Sequence, residues 1–92
     1  MHYLYIIYSK KIDRFYIGES ENVNDRLFQH NNKLFKDSFT CKANDWELKC
    51  AIKFQNIIHA RRAEAFVKKM KSRRFNEELI IEHKWLVEKF SV

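Results

Sequence analysis

A chain of 92 residues with 46% hydrophobic and 33% charged content describes a single globular domain over residues 1–92, with room for one modest core and no second one. No apolar run reaches the length of a membrane span and the first residues carry no signal-peptide pattern, so the sequence is read as cytoplasmic, with no membrane partner. A net charge of +6 argues for a polyanionic partner, nucleic acid first. Cys41 and Cys50 are too few for a disulfide framework and do not form a metal-type pair, so they are read as reduced thiols.

Tyr3 to Tyr8, aromatic and β-branched, predicts a strand, and its apolar character on both faces places it centrally in its sheet. Ser9 to Asp13 is turn-like, and Arg14 to Gly18 returns as the second strand of a hairpin. Val23, Leu27, His30 and Leu34 recur at helical spacing, with Asn22 as N-cap and Asp25 favourable in the first turn. Residues 35–45 are polar and predict a loop. Trp46, Leu48, Cys50, Ile52 and Phe54 alternate with Glu47, Lys49, Ala51 and Lys53, which predicts a strand with one polar face. A second helix is expected over about 57–73, with Ala63, Phe66, Val67 and Met70 toward the core. A third is expected over about 76–89, with Leu79, Ile80, Trp85, Leu86 and Phe90 in a looser pattern. The order β-β-α-β-α-α predicts an α+β fold, a small three-stranded, mainly antiparallel sheet flanked by helices.

Two features invite a functional reading. The chain has one glycine, Gly18, and no proline. A glycine ending the second strand permits an unusual dihedral or the close approach of another group. Residues 60–74 hold Arg61, Arg62, Lys68, Lys69, Lys71, Arg73 and Arg74 against the single acid Glu64, a basic helical face suited to phosphates. Around Gly18, the phenols of Tyr5 and Tyr16 come together if the two strands pair. Arg26 and His30 follow at i and i+4 on one side of the next helix. Each residue alone has an ordinary explanation, as strand aromatic, surface arginine, packing histidine or helical ion pair. Their joint occurrence is the signal.

Tyr3-Leu4-Tyr5, Tyr16-Ile17-Gly18, Arg26 and His30 in DRLFQHN, and Glu64 in a basic helix resemble the GIY-YIG nuclease family over roughly residues 2–75. The pattern is most similar to small stand-alone bacterial members related to the nuclease domain of the excinuclease C subunit, which implies DNA repair as a setting. The resemblance implies metal-dependent hydrolysis of DNA phosphodiesters with one Mg²⁺ or Mn²⁺. It assigns Tyr5, Tyr16, Arg26 and His30 to catalysis, Glu64 to the metal, Gly18 to a turn that shapes the site, and Asn76 to a further polar position. Two departures stand out. Tyr3 occupies the place of the first motif's glycine, and Glu19 sets a negative charge beside the site.

Those roles make chemical sense. Glu64 with waters and substrate oxygens suits Mg²⁺. The planar fork of Arg26 suits a phosphate. Tyr5 is taken as general base, with Tyr16 in support and His30 orienting the phenol or accepting its proton. Lys68, Lys69, Arg73 and Arg74 would add phosphate contacts outside the site. DNA is the expected partner, while a protein partner for targeting and the oligomeric state stay open. Two rival readings are a catalytically inactive nucleic-acid-binding module of the same fold and a protein-interaction domain.

Overall fold

A computed structural model describes residues 1–34 and 38–91; within the expected loop over 35–45, residues 35–37 lie outside the described residues. Strands β1 (His2–Ser9), β2 (Arg14–Ser20) and β3 (Trp46–Phe54) form one sheet in the order β2-β1-β3, with both pairings antiparallel. The central place of β1 follows from its sequence: Leu4 and Ile6 go to one face and Tyr5 and Ile7 to the other, all of them buried. Helix α1 (Val23–Asn31) lies between β2 and β3 in the chain, and α2 (Ile57–Met70), α3 (Arg73–Ile81) and α4 (Lys84–Phe90) follow β3. Among the described residues no helix is long and apolar enough to cross a membrane.

Two cores result. Leu4, Ile6, Ile17, Ile52 and Phe54 pack under Ala60, Ala63 and Val67 of α2, Leu79 of α3 and Leu86 of α4. On the opposite face, Tyr5, Ile7, Ala43 and Trp46 form a smaller core against Tyr16 and against Val23 and Leu27 of α1.

The uniform face expected for β3 is broken by a bulge. Ile6 pairs with Cys50 and Ile7 with Leu48, so Lys49 is an extra residue in the ladder. The extra residue reverses which face each side chain takes. Trp46 therefore joins the small core, while Ile52 and Phe54 join the large one.

The helices also depart from expectation. Asn22 caps α1, accepting from the Asp25 amide at 3.1 Å, but Leu34 lies beyond the helix and is exposed. Helix α2 stops at Met70, itself exposed, because Lys71 takes a left-handed backbone with φ of 48° and Ser72 caps α3. Arg73 and Arg74 thus open a separate helix and do not extend the basic face of α2. The expected third helix is two helices, broken at Glu82 and His83, so the order is β-β-α-β-α-α-α. The aromatic side chains show why. In one straight helix Phe75 and Trp85 would stand about 15 Å apart along the axis. Here their ring centroids are 6.0 Å apart, and both rings meet Phe66 of α2. Breaking the helix lets α4 fold back and seal that cluster.

Candidate active site

In the β1–β2 register Tyr5 faces Gly18 and Ile7 faces Tyr16, which puts both phenols on the α1 side of the sheet. Gly18 lies inside β2, two residues before its end, and has no positive φ. The expectation of a turn glycine is therefore corrected: its role is close approach. A Cβ there would fall 2.3 Å from Tyr5 Oη and 2.4 Å from Tyr5 Cζ. Only a residue without a side chain lets the Tyr5 ring lie across β2.

The Tyr5 hydroxyl ends on His30, which α1 presents from its inner face. His30 is buried, with Nε2 at 2.8 Å from Tyr5 Oη and Nδ1 at 2.7 Å from Thr40 Oγ1. Thr40 in turn donates to Ser38 Oγ at 3.2 Å. If Thr40 gives its proton to Ser38, it accepts from His30 Nδ1–H and His30 Nε2 accepts from the Tyr5 hydroxyl; the other tautomer reverses both bonds. Thr40 and Ser38 were not picked out in the sequence. The available signal was indirect, because a buried histidine needs a partner for each nitrogen and the hydroxyls nearest in the chain lie in the polar stretch that follows.

Electrostatics hold this chain of hydrogen bonds neutral. Burial pushes the His30 pKa down to about 4, helped by the Arg26 charge. Burial likewise pushes the Tyr5 phenol well above its ordinary value, with further upward pushes from Tyr16, Glu64 and Glu19 and a downward pull from Arg26. The histidine has a consequence for stability. Between pH 6.5 and about 4 the unfolded chain takes up a proton at His30 that the native state refuses. The contribution is fully present above pH 6.5 and is lost as pH falls through that window. It amounts to about 3 kcal/mol. Denaturant titrations at pH 7.5 and pH 4 should show that loss, and His30→Gln should remove most of the slope. An equal slope in His30→Gln would assign it to other groups.

Around the phenols stand the remaining candidates. The Tyr16 ring meets His30 edge-on at 5.1 Å and Trp46 at 6.5 Å. Lys68 Nζ sits 5.5 Å from the Tyr16 ring centroid and 2.8 Å from Glu64 Oε2. This brings the α2 pair to the β2 edge beside the phenols and places Lys68 within the site, not outside it as expected. Arg26, one turn before His30, is half-buried. Asn76 lines a cleft shared with Tyr16 and Lys68. Glu19 is held on the other side of β2 by His2 Nδ1 at 2.7 Å and Arg61 at 3.7 Å, so its carboxylate is already partnered.

The outer basic residues divide. Lys69 is exposed. Arg73 is engaged by Asp13 at 2.7 Å and Glu77 at 3.9 Å and lies against the Tyr8 and Phe15 rings. Its guanidinium ties the hairpin turn to α3. Arg74 is exposed and faces Glu78 at 3.4 Å.

Two tyrosines paired across a strand glycine, with a buried histidine behind them, are matched by a known family. The model of the GIY-YIG catalytic domain matches residues 1–78. The chain belongs to the GIY-YIG family. GIY-YIG domains are in general nucleases, so the substrate class that goes with this domain is nucleic acid. No curated protein and no solved structure matches the chain. The three-stranded antiparallel sheet with its helices agrees with the GIY-YIG fold.

Proposed function

We propose that this GIY-YIG protein is a DNA endonuclease whose reaction depends on one divalent cation, Mg²⁺ or Mn²⁺, and whose general base is Tyr5. The observation that carries the reading is the hydrogen-bond chain that links the Tyr5 hydroxyl, His30 and Thr40, in the tautomer with the proton on His30 Nδ1. A phenol is a poor base near neutral pH while it keeps its proton. Here its proton has a destination. As Tyr5 Oη takes a proton from the attacking water, its own proton passes to His30 Nε2. Thr40 holds the imidazole in the tautomer that receives it. Arg26 binds the phosphate through its planar fork and favours the phenolate. Tyr16, whose ring meets the same histidine, helps to position the water through its hydroxyl.

The metal question turns on Glu64. Among the described residues no group of three or more His, Cys, Asp or Glu side chains could hold a metal ion. The described residues thus offer no closed protein cage. A single carboxylate, 21% exposed and paired among the described residues with the exposed Lys68, fits a hard cation that keeps waters and takes substrate oxygens as further ligands. Glu64 would hold the ion, which when bound supplies charge stabilisation at the phosphate and the departing oxygen. Lys68 would then be released toward the phosphate. Lys69 supplies a phosphate contact farther out, and the ion pairs of Arg73 leave it a structural role.

Nicking of a supercoiled plasmid tests the proposal. Wild-type protein should nick with Mg²⁺ or Mn²⁺ and stop when chelator is added. Glu64→Gln should retain DNA affinity while losing about a hundredfold or more in rate. Cutting that survives the chelator would remove the cation from the reading.

A further inference from the structure

The cleft shared by Tyr16 and Lys68 continues beyond the catalytic residues. We propose that this cleft, between the outer edge of β2 and the α2–α3 junction, is the groove that receives the DNA strand flanking the cut. Within it, Lys71 and Arg14 grip the strand's phosphates. The inference rests on the nuclease reading for its choice of occupant, and on four observations for its place.

The cleft encloses about 340 Å³ and is lined by Arg14, Phe15 and Tyr16 from β2 and by Lys68, Lys71 and Asn76 across from them. It is continuous with the candidate site, because Tyr16 touches His30 and Lys68 touches Glu64. One wall is an edge strand, whose outer backbone groups have no strand partner and can bond a ligand. The charged residues of its wall are not alike. Asp13 and Arg73 also line it, and Arg73 is occupied by Asp13 and Glu77. Arg14 donates to a backbone carbonyl, that of Asp13, at 3.2 Å, and Lys71 forms no ion pair among the described residues. Two cations with no carboxylate ion pair among the described residues, set in a groove that runs on from the candidate site, complement a sugar-phosphate chain.

The backbone of Lys71 adds a separate argument. At φ of 48° it holds the left-handed position that ends α2. Glycine is the usual residue there, because a side chain is strained in that conformation. A lysine that bears the strain while lining the groove is explained by what its ammonium does there. Stability and binding should therefore respond to Lys71→Gly in opposite directions.

The test is a titration of a fluorescein-labelled DNA duplex in chelator at several salt concentrations, with melting temperatures measured alongside. Lys71→Gly should melt at or above the wild-type temperature yet bind about three- to tenfold more weakly, with a salt slope smaller by about one. Arg14→Gln should weaken binding similarly. Lys53→Gln, on the opposite edge strand, should bind like wild type. Binding by Lys71→Gly and Arg14→Gln within twofold of wild type, with unchanged slopes, would overturn the groove. So would an absence of salt-sensitive DNA binding by the wild type. Hydrolysis of bis(4-nitrophenyl) phosphate by the wild type, run in parallel with Mn²⁺, separates the two readings, since that diester has no flanking strand. Binding losses as expected, with no hydrolysis of this diester or of DNA, would sustain the groove and sink the nuclease reading.

Discussion

Gly18→Ala is expected to destabilise the protein by about 2–3 kcal/mol and to lower DNA cleavage by about a hundredfold. The cause is one methyl group. It would stand 2.3 Å from Tyr5 Oη, 2.4 Å from Cζ and 2.8 Å from Cε2, and these atoms belong to a rigid ring, not to the end of a flexible chain. The ring cannot tilt away freely. Tyr5 is 1% exposed, in the small core with Ile7 and Trp46, and its hydroxyl is fixed on His30. Relief would separate the phenol from the imidazole or push the two strands apart. The pair should therefore be strongly coupled. Tyr5→Ala alone removes a buried ring, but Gly18→Ala added to it should cost much less than in the wild-type background. Chemical denaturation of the four proteins gives that coupling directly. A Gly18→Ala protein as stable and active as the wild type would mean that the ring does not lie across β2.

This packing explains how much of the molecule could be read from the chain. The two-faced apolar run of β1 announced its central place, and the tyrosine, histidine and glutamate spacings picked out residues that do come together. The role of Gly18 was misread because a glycine needed for close approach and one needed for a turn look alike in a sequence. The face reversal in β3 was hidden for a related reason. The bulge at Lys49 changes the geometry but leaves the letters 46–54 strictly alternating. The third helix was misjudged because Leu79 and Leu86 keep helical spacing across the break, and only the contacts of Trp85 and Phe75 with Phe66 require one. Arg73 looked like a free phosphate ligand because its partner, Asp13, lies 60 residues away in the chain. Ser38 and Thr40 passed as loop residues, since a hydroxyl's value depends on the buried histidine above it.

The assignment of the base to Tyr5 and not Tyr16 has the most exacting consequence. A charge on Tyr16 raises the cost of ionising Tyr5, so the two phenols do not share the role of base. Tyr5 is the more buried, and burial disfavours phenolate. It is also the one whose hydroxyl already points at a neutral acceptor, His30 Nε2. A proton relay spares Tyr5 a lasting phenolate, because the phenol gives one proton to the imidazole as it takes another from water. The positive charge then sits on His30, whose burial and Arg26 neighbour oppose it, so the relay needs the negative charge of the bound phosphate close by. Tyr16 touches His30 only through its ring edge and lacks that route. Tyr5→Phe should therefore lower cleavage by about a thousandfold, within the range for loss of a general base, while DNA affinity stays the same. The phenylalanine ring keeps the packing over Gly18, so the stability loss should be only about 1–2 kcal/mol, for an imidazole nitrogen left without its donor. Tyr16→Phe should cost about tenfold, as expected for a hydroxyl that positions water without taking its proton. Single-turnover cleavage rates for the two variants decide between them, and the reverse order of effects would move the base to Tyr16 and leave Tyr5 and His30 as its support.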